Sequence, residues 1–313
     1  MPLLKRFSDA LRSVFGSNAD TVPSVGVRAA RLEKQITRLV DEIPAMPVTA
    51  ARTIALMEDP DVPLSKIAKL IQEDAALATG LLRMANSALY AGGSPVLRID
   101  QAVVRLGLWT CKRLVTAIGM RGVLRGSSKR TMEAERRNLW HHGFVTASLC
   151  SQLNRANRLG FKGEEYSAGL LHDLGRLLIA LADPECVVLA NLMDFREEGD
   201  VLARERAAIG ADHCGLGAWF AELSSLPAEL IEVIKHHHAP GTSRLVALVA
   251  AGDHMANHIQ CGESTESYAP LTNPGLLVLC VGWSMGRRDT LFAMLPELMR
   301  TAITAAEHDL NAI

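Results

Sequence analysis

The chain has 313 residues, 49% of them hydrophobic, and a formal net charge of −1. That supplies a large core for one big or two moderate domains, and it leaves no electrostatic footprint for DNA or RNA. Six cysteines, at 111, 150, 186, 214, 261 and 280, show no C-x-x-C spacing, which suggests neither a zinc ribbon nor a disulfide framework and favours reduced core thiols.

In chain order, residues 1–30 read as an amphipathic helix and linker. Leu3, Leu4, Phe7, Leu11, Val14 and Phe15 share one face, and breakers fill the stretch from 16 to 26. That face either packs on its own domain or meets a partner or membrane surface; the sequence leaves both open. Lys5, Arg6 and Arg12 interrupt the opening segment, so no cleavable signal peptide is expected. No uninterrupted apolar run reaches the roughly eighteen residues of a membrane span. A cytoplasmic protein is the expectation.

Helices are predicted near 29–42, 47–58, 64–72, 75–90 and 100–124, building an N-terminal helical lobe within residues 31–134. The basic run 125–130 marks a seam. Residues 135–313 form the second lobe, with a loop at 262–274 and closing helices near 275–286 and 288–308. No convincing alternating strand occurs, so the expected fold is all-α.

The segment Gly169 to Ala180 places His172 and Asp173 among apolar residues. An uncompensated carboxylate there costs several kcal/mol or takes up a proton, so a cation, hydrogen-bond partner or metal is needed. Adjacent residues on a helix point about 100° apart and can reach one shared centre, which is the layout of a metal-ligand doublet. Helical phase then selects further inward residues. They are His142 rather than His141 in 139–153, His213 in 207–223, His237 and His238 rather than His236 in 227–238, and Asp253 in 244–258.

One buried histidine is commonly a satisfied core residue; five imidazoles and two carboxylates together suit two metal ions better than one. A metal-free hydrogen-bond network is the alternative. His254 and His258, four apart, form a second, weaker candidate pair for zinc, and His308 reads as surface.

The order His142, His172-Asp173, His213, His237-His238, Asp253 resembles the HD superfamily of metal-dependent phosphohydrolases, with the extended ligand set of its HD-GYP branch. Ala239-Pro240 follows the histidine pair where that branch carries its Gly-Tyr-Pro loop, and Arg176 stands where a lysine often follows the doublet. Upstream, Pro44 to Pro47, Leu81 to Tyr90 and Ile99 to Gly107 look like the N-terminal signature of HDOD domains, the HD-related output domains of bacterial signalling proteins. With Trp140 to His142, Leu170 to Gly175 and Ile234 to His238, the likeness spans roughly residues 36 to 258.

The resemblance implies a two-lobed helical HDOD fold and a regulatory module with protein partners. HDOD domains commonly lack part of the HD set, whereas this chain keeps every ligand position. The set implies one or two divalent transition ions: iron, manganese or zinc. Asp173, with two oxygens, is the best bridge; His142, His172 and Asp253 would complete one ion, and His213, His237 and His238 the other. Two such ions activate water and offset phosphoryl charge, so a phosphohydrolase acting on a nucleotide or other phosphoester is the alternative. Arg176, one turn after His172, would contact phosphate or pair with an acid.

Overall fold

The computed structural model describes residues 11, 13–15, 23–42, 48–57, 59, 61–87, 90, 94–125, 132–224, 226–241 and 243–312. Half of the expected N-terminal face (Leu3, Leu4 and Phe7), the greater part of the linker, the Pro44 to Pro47 run and the basic seam after Arg125 lie outside the described residues.

All regular structure among the described residues is helical, as the sequence predicts. The helices are α1 (Pro23–Glu42), α2 (Val48–Leu56), α3 (Leu64–Gln72), α4 (Ala75–Ala85), α5 (Ile99–Arg125), α6 (Glu133–Asn157), α7 (Glu164–Leu171), α8 (Leu174–Ala182), α9 (Pro184–Leu189), α10 (Val201–Ile209), α11 (His213–Leu223), α12 (Ala228–His236), α13 (Arg244–Gln260), α14 (Pro274–Leu279) and α15 (Met285–Ala312). None of them is long and apolar enough to cross a membrane.

Short polar side chains set many of the boundaries by accepting the free N–H groups of a first turn. Asp74 does so for α4, Asp183 for α9, Asp200 for α10, Asp212 for α11 and Asn273 for α14. Such signals also explain where the helices depart from the sequence reading. The periodic segment 207–223 is two helices, because Gly210 ends α10 in the left-handed region at φ 81° and Asp212 caps α11. The segment from Gly169 to Ala180 likewise breaks, with His172 ending α7 and Asp173 preceding α8. The helix expected at 75–90 stops at Ala85. There the Asn86 side chain bonds the backbone N–H and carbonyl of Val96, both at 2.8 Å. The helix expected at 275–286 stops at Leu279, and α15 runs on through Pro296.

One apolar cluster extends from Leu11 and Phe15 to Ala306. Helix α6 lies at its centre, packed against α7, α13 and α15. Residues 142–150 of α6 and 245–253 of α13 are buried without interruption. A helix apolar on all sides must be enclosed by others, so the ionisable groups on these two segments, His142 and Asp253, are carried into the interior.

Candidate metal centre

Five structural elements bring the seven residues together. His142 projects from the middle of α6 and Asp253 from α13. His172 and Asp173 occupy the α7–α8 turn, His213 opens α11, and His237 and His238 follow the end of α12. His142 Nε2 lies 3.2 Å from His172 Nε2 and 3.0 Å from Asp253 Oδ1. His213 Nε2 lies 3.3 Å from His237 Nε2 and 3.0 Å from His238 Nε2.

Asp173 sits between the two groups. Its Oδ2 is 3.9 Å from His142 Nε2 and 3.7 Å from His172 Nε2. Its Oδ1 is 3.3 Å from His213 Nε2 and 3.6 Å from His237 Nε2.

The outer ring nitrogens fix which inner nitrogens carry lone pairs. His172 Nδ1 is 2.7 Å from the Gly169 carbonyl, and His237 Nδ1 is 3.1 Å from the Ile234 carbonyl. A carbonyl only accepts, so both Nδ1 atoms donate. His213 Nδ1 donates to Glu205 at 2.8 Å, and Glu205 also accepts the His213 backbone N–H at 2.8 Å. In their neutral forms all three rings therefore aim Nε2 lone pairs inward. Lone pairs 3.3 Å apart on His213 and His237 repel unless a proton or a cation lies between them. Asp173 Oδ1, buried beside them, has no hydrogen-bond partner. The donor set fits a metal ion, and several groups of these side chains lie close enough to hold one.

Glu205→Ala is therefore expected to lower metal affinity by roughly ten- to a hundredfold, because the His213 ring loses both its orientation and its tautomer. A metal titration reads this, and an unchanged affinity would reduce Glu205 to a packing role.

The electrostatics follow from burial opposed by neighbours. Burial raises the Asp173 carboxyl, but the Arg176 guanidinium and the surrounding imidazoles outweigh it and hold the group well below the usual carboxylate range. Asp253 is likewise held low, as His172 and His142 overcome its burial. Burial lowers His142, and burial with the neighbouring His237 lowers His238. Burial also pushes Glu197 up to about 7, assisted by Asp253 and opposed by Arg176.

Arg176 is buried at 1% exposure. It donates to the Leu192 carbonyl at 3.0 Å, pairs with Glu197, and brings Nε within 3.2 Å of Asp173 Oδ1.

Not every histidine joins the cluster. His141 is half-buried and His236 exposed. His254 Nδ1 bonds the Tyr268 hydroxyl at 2.9 Å and His258 Nε2 donates to the Ser264 carbonyl at 2.8 Å, so these ring nitrogens are taken by separate hydrogen-bond partners while both rings pack on Tyr268. Three nearby groups escape the sequence reading: Glu197, Glu205 and Cys214. Cys214 adjoins His213 in sequence and was the only one with a legible signal; the two glutamates reach the site through tertiary packing.

A cleft of about 840 Å³ opens onto the cluster. His237, His238 and Asp253 form part of its wall, with Phe195, Glu197 and Asn257.

These features define an all-helical protein with a buried His–Asp centre reached from a cleft. The HDOD domain family profile matches residues 43–240, and the chain belongs to that family. A Treponema pallidum protein described as "Uncharacterized protein" is 31% identical over 217 residues; the match covers 68% of this chain and spans 41% of that relative's length. An HDOD domain protein of unknown function from Geobacter sulfurreducens superposes with a TM-score of 0.69 at 22% identity, covering 91% of this chain and 99% of the other. A Shewanella amazonensis protein described as "Putative phosphohydrolase" gives a TM-score of 0.63 at 23% identity, covering 90% and 98%.

Proposed function

We infer that this chain is a regulatory HDOD module of bacterial signalling whose His–Asp cluster holds one or two divalent transition ions. The observation that carries the metal assignment is the convergence of inward-facing imidazole lone pairs on Asp173 Oδ1, which accepts no hydrogen bond. A proton on His213 or His237 Nε2 would satisfy only one acceptor at a time, whereas a cation answers the imidazole nitrogens and Asp173 Oδ1 together. His142, His172 and Asp253 would hold one ion, His213, His237 and His238 the other, and Asp173 both. With Arg176 committed to Asp173, Glu197 and Leu192, its role is to hold Asp173 in place. The regulatory assignment rests on family membership, and protein partners are part of it.

Iron, manganese and zinc all suit imidazole and carboxylate donors. Elemental analysis of protein purified without chelator or affinity nickel tests the reading. Less than about a tenth of an equivalent of any such metal after reconstitution would overturn it, since a buried set of this kind binds well above that level. His141→Gln and His236→Gln are expected to leave metal content near wild type, whereas the same change at His142 or His237 lowers it. Equal losses at all four positions would refute the assignment by helical phase.

The cleft favours a second reading, hydrolysis of a phosphoester or nucleotide. A filled structural site has no route for substrate, whereas this cluster borders an opening of about 840 Å³. Bound divalent ions would supply Lewis acidity and an activated water near neutral pH. The chain's own part would be to admit the phosphoester past His238 and Glu197 and to keep Asp173 ionised through Arg176. Because no Gly-Tyr-Pro loop follows His238, little turnover of cyclic dinucleotides is expected. A clear metal-dependent rate on a nucleotide, abolished by Asp173→Ala in folded protein, would replace the regulatory reading with an enzymatic one.

A further inference from the structure

Cys214 stands outside the ligand order of the HD superfamily, yet it shares the first turn of α11 with His213. Its side chain turns toward the centre. Sγ lies 3.5 Å from His213 Nε2, 3.8 Å from His237 Nδ1 and 4.0 Å from His237 Nε2. The residue is buried, and one donor atom from each of His213, Cys214, His237 and His238 lies within 4.8 Å of the others. Among the described residues no other cysteine belongs to such a group.

The spacing has a specific meaning. A tetrahedral ion with nitrogens at about 2.0–2.1 Å and sulfur at about 2.3 Å separates its donors by roughly 3.3–3.6 Å. The His213–His237 separation is 3.3 Å, the His213–His238 separation 3.0 Å and the His213–Cys214 separation 3.5 Å. The 3.0 Å contact lies just below this range and the 4.0 Å from Cys214 to His237 Nε2 just above it, differences that small side-chain rotations close.

The geometry points to Cys214 as a thiolate ligand that joins His213, His237 and His238 in one half of the centre, beside the shared carboxylate of Asp173. This rests on the metal-binding reading above and adds an asymmetry to it. Thiolate favours zinc and cobalt(II) over manganese or magnesium, while the carboxylate-bearing side at His142, His172 and Asp253 accepts harder ions. Binding forms one metal–sulfur bond and releases the thiol proton to solvent, with no change of oxidation state. The two halves of the centre therefore differ in metal preference, and the Cys214 half discriminates against the hard ions.

The test uses the full chain loaded with cobalt(II) or zinc. Cobalt protein is expected to show an intense near-ultraviolet sulfur-to-cobalt charge-transfer band, lost in Cys214→Ser and kept in Cys261→Ser, whose cysteine borders the cleft. Zinc X-ray absorption of the wild-type protein should show a sulfur neighbour at about 2.3 Å, a readout that needs no variant to fold. Zinc affinity at one of the two sites should fall at least tenfold in Cys214→Ser, the smallest loss seen when a group that merely supports a ligand is removed. Bound cobalt or zinc with only nitrogen and oxygen neighbours, or a charge-transfer band that survives in Cys214→Ser, overturns the thiolate assignment and leaves the metal centre standing. No uptake of either ion overturns both.

Discussion

Replacing Asp173 by alanine is expected to reduce metal content to near zero and, separately, to destabilise the metal-free fold by roughly 3–5 kcal/mol, the range for breaking a buried ion pair by removing one partner. The two effects have different origins. The metal loss follows from position, since the carboxylate has one oxygen toward His142 and His172 and the other toward His213 and His237. The stability loss follows from Arg176, which is buried and would be left with Glu197 as its remaining acid. Asp173→Asn keeps the volume but removes the charge, so it should lose metal as fully while still leaving Arg176 undercompensated. Elemental analysis reads the first effect, and denaturant unfolding in chelator reads the second. A metal-free Asp173→Ala protein as stable as wild type would show that Arg176 is held by Leu192 and Glu197 alone. Wild-type protein should also be stabilised by added metal, whereas the variant should not, because a ligand that binds only the folded state shifts the unfolding equilibrium.

The inward residues were legible in sequence because each stands in a strongly apolar helical segment. On α6 the neighbours His141 and His142 part, one half-buried and one enclosed, but residues 142–150 are buried on every side, so enclosure of the segment rather than a one-sided stripe buries His142. Asp253 is buried in the same way within 245–253, whereas His237 follows the buried Val233 and Ile234 of α12. The local geometry was less legible. His172 and Asp173 reach a shared centre across a break between α7 and α8, rather than as consecutive positions on one helix. His213 opens a helix instead of lying within one, although Gly210 and Asp212 carry the signals of a stop and a start. A periodic apolar pattern can run across a short break without losing phase, so periodicity alone missed both. Glu197 and Glu205 had no sequence signal of any kind. Each reaches the site from residues 190–209, a region whose place beside α8 and α11 is decided by packing. The HDOD likeness spans this region without assigning either residue a role.

Gly175→Ala is expected to cost at least about 3 kcal/mol and to lower metal content as well, which places it among the most damaging single-methyl changes in the chain. Added core methylenes usually cost about 1–3 kcal/mol, and more when the obstruction cannot move aside. Here a Cβ on Gly175 would lie 1.9 Å from the His213 carbonyl oxygen, 2.6 Å from its carbon and 2.8 Å from its Cα. All three are backbone atoms, so no rotamer change relieves the clash. Helices α8 and α11 must separate. Gly217 makes the reciprocal approach, since a Cβ there would lie 2.9 Å from the Gly175 nitrogen. The crossing is therefore close because both helices lack a side chain where they meet. The same contact sets the 3.3 Å between Asp173 Oδ1 and His213 Nε2, because Asp173 precedes α8 and His213 opens α11. Pushing the helices apart lengthens that distance and removes a ligand from one half of the centre. Gly286→Ala supplies the contrast. Nothing lies within 4 Å of a Cβ at that helical position, and alanine there should be neutral or stabilising by roughly 0.5–1 kcal/mol. Thermal unfolding and elemental analysis of the two variants decide the matter. A Gly175→Ala protein with wild-type stability and full metal content would mean that the crossing of α8 and α11 does not set the geometry of the centre.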